Sequence, residues 1–231
     1  MKFIKFIKFI KFILTLCLTF TCSGCIKKES DAMKFKKEYE SLNGTIREKD
    51  KQTIRTLSID EDNPMVYSSC QDIVDRIENK ETFIIYFGFS DCPWCRSSIE
   101  TFIESAKENN ITTVYYVDIK EDRDEIEIID SQISISKQGS KEYHTLLELL
   151  GSVLDNYIVD ETDTHEKRIY APNYISILNG KPQLKIDGTS SLQSDGYQEI
   201  NEDIKQDMKD QFQSLFDSIQ TKACSTVEKK C

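Results

Sequence analysis

The chain has 231 residues, of which 40 are acidic and 30 basic, for a formal net charge of −10; 39% are hydrophobic and 10% aromatic. That is enough apolar material for one folded domain, or one domain with additions, and it excludes global disorder. The acidic balance argues against nucleic acid, which requires a basic face, and reads mostly as a solvated, self-repelling surface.

Residues 1–24 stand apart. Lysines at 2, 5, 8 and 11 repeat in KFI triplets and give way to a short apolar run from Phe12 to Phe20. This is a basic n-region and an h-region too short for a secure transmembrane span. It ends at Cys22-Ser23-Gly24-Cys25, which resembles a bacterial lipobox, although Cys22 stands where leucine is usual. The expectation is a lipoprotein signal peptide over 1–24 with Cys25 lipidated; an uncleaved anchor is the competing reading. Either one holds the chain at the extracytoplasmic face of the cell membrane, where disulfide chemistry is permitted. Removing 1–24 deletes four lysines and no acid, taking the charge from −10 to −14.

Residues 25–49 read as a polar tether, helical in part until Gly44. Thr53 to Ile59 alternates weakly, as an edge strand does. Ser68 or Ser69 caps a helix whose apolar face is Ile73, Val74 and Ile77. Thr82 to Phe87 (TFIIYF) is a continuous apolar run, the pattern of a central strand buried on both faces. Pro93 suits a first helical position, and Ile99, Phe102, Ile103 and Ala106 fall at i, i+3, i+4 and i+7. Ile111 to Ile119 is a β-branched and aromatic second central strand. The chain then becomes acidic and irregular, and SQISISKQGS follows with a hairpin-like alternation. Tyr143, Leu146, Leu147, Leu150, Leu154 and Tyr157 line up as an amphipathic helix that covers an apolar surface, and VDETDTHEKR reads as an acidic loop. Asn173 to Leu178 and Gln183 to Ile186 flank an Asn179-Gly180 turn, a strong hairpin signal. A terminal helix carries Ile204, Met208, Phe212, Leu215, Phe216 and Ile219.

The chemistry concentrates at Cys92-Pro93-Trp94-Cys95, directly after the TFIIYF strand. Two thiols two residues apart at a strand-to-helix turn can open and close a disulfide with little backbone movement. A thiol at a helix N-terminus also meets unpaired N–H groups and the positive end of the helix dipole, which stabilise the reactive thiolate. Half a zinc knuckle has the same spacing, but the other candidates, Cys70, Cys224, Cys231, His144 and His165, lack a knuckle spacing, so no metal site is expected.

The element order and this pair resemble the thioredoxin-like superfamily, over roughly residues 50–221. Tyr170 to Lys181 resembles the segment in which that family places a cis-proline opposite its active disulfide, and two of the four prolines, Pro93 and Pro172, fall at these two sites. The whole also resembles thioredoxin-like lipoproteins of Gram-positive bacteria, some of them discussed as accessory proteins for bacteriocin export. The resemblance implies an α/β fold with a central mixed sheet flanked by helices. A helical insertion at about 120–168 lies between the third strand and the cis-proline strand, and a Cys-containing tail spans 222–231. It implies a thiol–disulfide oxidoreductase with no cofactor beyond the redox-active Cys92–Cys95 disulfide. Cys92 is then the exposed attacking thiolate, Cys95 the buried resolving thiol and Pro93 a supporting residue, while Trp94, Ala171 and Pro172 shape the substrate groove. Partners would be protein thiols or disulfides and a redox partner that recycles the pair. A non-catalytic accessory module that holds an exported or surface protein is the alternative.

The chain departs from thioredoxin in several places. The family's buried acid aligns with Tyr86 and its partner lysine near Val114, and the glutaredoxin pattern before the cis-proline is absent. Asp91 beside Cys92 would raise its pKa and Arg96 would lower it. Cys70 reads as a buried, inert thiol, and His144 and His165 as surface residues. Cys224 and Cys231 close a small tail disulfide or act as a relay to the 92/95 pair.

Overall fold

A computed structural model describes residues 29–129, 132–159 and 161–220 of the chain. Its centre is a five-stranded mixed sheet. β1 (Met65–Tyr67), β3 (Val114–Asp118) and β2 (Phe83–Gly88) run parallel, while β8 (Asn173–Leu178) pairs antiparallel with β2 and β9 (Lys181–Ile186) antiparallel with β8. The order across the sheet is β1-β3-β2-β8-β9. Every residue of β2 is buried, as its unbroken apolar run requires at the middle of a covered sheet. The turn between β8 and β9 is Asn179-Gly180, both at positive φ, the conformation that matches strand twist in a two-residue hairpin.

Pairing register places Tyr116, Tyr86 and Tyr174 on one rung across β3, β2 and β8. Directly opposed side chains share a face, and the rings stack, with Tyr86 5.4 Å from Tyr116 and 4.7 Å from Tyr174. Three helices meet this face. From α3 (Pro93–Glu108), Phe102 lies 4.5 Å from Tyr174; from α5 (Glu202–Asp217), Phe212 lies 5.2 Å from Tyr174. From α1 (Asp31–Glu40), Phe35 lies 4.9 Å from Tyr116. On the other face, α2 (Cys70–Glu78) sets Arg76 3.9 Å over the Tyr115 ring and packs with α4 (Lys141–Leu150). Ser69 caps α2 in a reciprocal capping box with Asp72.

Four expectations are corrected. The polar tether at 25–49 is, from Asp31 on, part of the domain. Six of the ten residues of α1 are charged, but Phe35 and Tyr39, at i and i+4, are fully buried. Burying two aromatics contributes about 2–3 kcal/mol each, enough to dock an otherwise polar helix.

Residues 53–59 form no strand. Beyond one antiparallel bridge from Thr53 to Ile46, side chains take its backbone groups: Asn43 pairs with both the N–H and the C=O of Leu57 (3.0 and 2.8 Å), and Glu40 accepts from the Ile59 N–H at 2.8 Å. The first strand is Met65–Tyr67. The amphipathic helix ends at Leu150, before Gly151, leaving Leu154 buried beyond it and Tyr157 in β6 (Asn156–Val159).

The stretch between β3 and β8 carries more strand than helix. β4 (Glu125–Ile129) pairs with β5 (Gln132–Lys137), and β6 with β7 (Thr162–Lys167), as two separate hairpins. Their acidic residues hide a period-2 pattern, Glu-Ile-Glu-Ile in β4, that composition reads as loop. Among the described residues no helix is long and apolar enough to cross a membrane. Cys25, the 1–24 segment, Cys224 and Cys231 lie outside the described residues.

Candidate functional site

β2 ends at Gly88, the chain turns through Phe89-Ser90-Asp91, and Cys92 becomes the N-cap of α3 with Pro93 in its first turn. The Cys92 sulfur does what a capping oxygen does elsewhere, accepting the Cys95 N–H at 3.3 Å. Its thiol donates to the Ala171 carbonyl, also at 3.3 Å. The Ala171–Pro172 peptide bond is cis. A distant part of the sequence is thus folded directly against the sulfur. Both cysteines are free thiols.

Burial pushes the Cys92 thiol up, but hydrogen bonds from the Cys95 side chain and from the Cys95 and Trp94 N–H groups, with the Arg123 charge, bring it below its ordinary value. Cys95 is held well above its ordinary value, first by complete burial and then by the facing Cys92; the Phe89 backbone and the Tyr86 side chain offset this only in part. The two thiols are therefore shifted in opposite directions, Cys92 toward its thiolate and Cys95 away from it.

The structure corrects the picture of Cys92 as exposed. It is 4% exposed, and Cys95 is 0% exposed. The segment between β9 and α5 lies on the Cys-Pro-Trp-Cys turn, and a Cβ on Gly196 would fall 2.7 Å from Pro93 Cβ and 2.8 Å from the Trp94 nitrogen. Only a residue without a side chain permits that approach. Tyr197 then donates to Asp50 at 2.6 Å, closing the segment onto the loop after α1. Trp94, Pro93 and Ala171 are half-buried and Pro172 is buried.

Arg96 does not serve Cys92. Its buried guanidinium donates to the carbonyls of Tyr39 (2.8 Å), Ser90 (2.9 Å) and Arg55 (2.6 Å from one terminal nitrogen) and to Asn43 Oδ1 (2.7 Å). Asp91 pairs with Lys120 at 2.9 Å. The cation that acts on Cys92 is Arg123, which also lies 5.1 Å from the Phe89 ring and which nothing in the local sequence marks. Asn173 was likewise missed. Fully buried, it accepts from the Tyr170 N–H at 2.8 Å and donates to the Pro172 carbonyl at 2.9 Å and to Asp187 at 2.7 Å, pinning the segment that faces Cys92.

Cys70 is 3% exposed, and burial together with Asp122 pushes its thiol up to about 12. His144 sits 3.2 Å from Asp124, and His165, with its side chain 86% exposed, lies beside Asp163. Among the described residues no three His, Cys, Asp or Glu side chains converge as a metal centre requires.

No family model and no curated protein matches the chain. Among solved structures it is similar to thioredoxin O2 from Arabidopsis thaliana in the oxidized state, at 14% identity and a TM-score of 0.30 over 54% of this chain and 82% of that one. A likeness of that size is too slight to carry either the fold or the chemistry.

Proposed function

We propose that the chain is an extracytoplasmic thiol–disulfide oxidoreductase of thioredoxin-like fold. The observation that carries this reading is the Cys92 sulfur, seated at the N-cap of α3 and 3.3 Å from the Ala171 carbonyl. The order of the central sheet supports it. In the reducing direction the Cys92 thiolate attacks a substrate disulfide, forming a mixed disulfide and expelling one substrate thiolate. Cys95 then loses its proton and attacks Cys92, closing Cys92–Cys95 and releasing the second substrate sulfur. Run backwards, the same pair oxidises a substrate dithiol. Trp94, Ala171 and Pro172 border the place where the substrate chain would lie. Lipidation at Cys25, as in the lipoproteins the sequence resembles, would hold this chemistry at the outer face of the membrane.

The reduction potential of the pair tests the proposal, measured on the chain in defined thiol buffers with Trp94, its single tryptophan, as the fluorescent reporter. A potential near about −270 mV identifies a reductant that must be supplied with electrons; one near about −120 mV identifies an oxidant that installs disulfides. A pair that does not cycle refutes the enzyme. One observation, the 4% exposure of Cys92, favours the second reading, a module that binds a partner without turnover. Cys92→Ser separates the two, since a catalyst loses all turnover while a binder keeps its partner.

A further inference from the structure

Thiol–disulfide exchange requires one sulfur to touch another, so its rate depends on access, yet Cys92 is only 4% exposed. Some part of its surroundings has to move before a substrate disulfide can meet it. Two of the three walls are pinned. Buried Arg96 holds the turn before Cys92 through the Ser90 carbonyl and also grips Tyr39, Arg55 and Asn43. Asn173 fixes the Ala171–Pro172 segment through bonds to Tyr170, Pro172 and Asp187. The third wall is the connection from β9 to α5, where Gly196 lies against Pro93 and Trp94.

That connection is held far more lightly. Its roots are fixed: Gly188, at φ +65°, packs on Tyr174 and Phe212, Gln211 donates to the Thr189 carbonyl at 2.9 Å, and Asn201 caps α5. Between the roots, residues 191–199 form neither strand nor helix, and Leu192 is 58% exposed. The span satisfies much of its own backbone. Asp195 Oδ1 accepts from the N–H groups of Tyr197 (2.7 Å) and Gln198 (2.9 Å), and Gln198 Oε1 accepts from that of Ser194 (2.6 Å). A loop closed on itself by its own side chains keeps its shape when it lifts. Two hydrogen bonds tie it to the body of the domain: Arg55 donates to the Gln198 carbonyl, and the Tyr197 hydroxyl donates to Asp50 Oδ2 at 2.6 Å. Asp50 accepts in turn from Arg47 Nη1 at 2.9 Å, and Arg47 Nε donates to the carbonyl of Asp91, the residue before Cys92, at 3.0 Å. A continuous line of hydrogen bonds thus runs from the loop to the thiol turn.

We propose that residues 191–199 form a lid on the Cys92 turn, latched by Tyr197 on Asp50, and that Cys92 reacts only from the open form. The proposal deepens the thiol–disulfide reading and rests on it for the purpose of the lid: the 4% exposure of Cys92 is then the resting state of a gated nucleophile. It also gives Gly196 a reason, since a side chain there would meet Pro93 and Trp94 and prop the lid ajar. The latch is shallow. Hydrogen bonds at the surface with few buried apolar contacts beneath them open locally while the core stays folded.

The test is alkylation of the reduced chain by iodoacetamide, with Cys92 and Cys70 followed separately by peptide mass mapping. Cys70, 3% exposed and on α2 at the opposite face of the sheet, reports any general loosening. Tyr197→Phe removes one hydroxyl from a half-buried surface residue. It should speed the alkylation of Cys92 about tenfold, the scale of a hydrogen bond to a charged acceptor, and leave Cys70 unchanged. Asp50→Ala should have the same effect, and the two changes together should add nothing to either alone, because they break one bond. A native Cys92 rate in Tyr197→Phe overturns the lid, and so does a rise shared by Cys70. An unaltered chain whose Cys92 reacts as fast folded as it does in urea overturns it as well. Alkylation needs no redox cycle, so a pair that does not cycle refutes the oxidoreductase while this result still decides the lid.

Discussion

Arg123 is the residue on which the reactivity of Cys92 turns most simply. Its charge favours the Cys92 thiolate, although it is shared with the Glu121 carboxylate. Arg123→Gln should therefore raise the Cys92 titration and slow its alkylation at neutral pH by about threefold, the scale of a partly screened single charge. Iodoacetamide kinetics followed by Trp94 fluorescence measures it; an unchanged rate would remove Arg123 from the site. The sequence made Cys92, Cys95 and Pro172 legible because their chemistry is local: a two-residue spacing, a preceding apolar strand and a proline before a hairpin. Arg123 and Asn173 carry no such signature. One is a charged residue in a charged loop and the other an ordinary polar residue at a strand's start, and only the fold brings the first to Cys92 and ties the second to the Pro172 segment and Asp187.

At the scale of elements, legibility followed apolar periodicity. β2, β3, α2, α3, the β8–β9 hairpin and α5 each carry a dense pattern and were visible. α1 carries two aromatics among six charges, and β4 and β7 alternate with exposed acids, so burial of a few side chains was masked by composition. The segment 53–59 misled in the opposite sense, since its apolar residues are buried by a chain that hydrogen-bonds to side chains instead of to a strand. If α1 is a working part of the domain, Phe35→Ala should lower its stability by about 3–5 kcal/mol, the cost of emptying a fully buried aromatic site. A urea melt followed by Trp94 fluorescence reads the change, and a shift below about 1 kcal/mol would return α1 to the status of a tether.

For the molecule as a whole, the phenol-rich core sets a pH limit. Tyr39, Tyr86, Tyr116 and Tyr174 all have their pKa raised, burial being the first cause in each case. A raised acid stays protonated in the fold while the unfolded chain ionises near the ordinary value of about 10. Above that pH the unfolded state binds fewer protons than the native one, so stability falls as pH rises; below it the contribution is fully present. Each phenol should add ~1.4 kcal/mol per pH unit to that slope. Denaturant midpoints from about pH 8 to about pH 11 should thus hold steady and then drop sharply, and a flat profile would contradict the buried, protonated cluster.

The Arg96 clamp has a mechanical meaning. One guanidinium grips the end of α1 at Tyr39, the segment at Arg55 and the turn at Ser90, two residues before Cys92. Tension applied along α1 would arrive at the thiol turn through that side chain, alongside Arg47, whose Nε donates to the Asp91 carbonyl at 3.0 Å. A pull on α1 is in that sense a pull on the turn that carries the reactive sulfur.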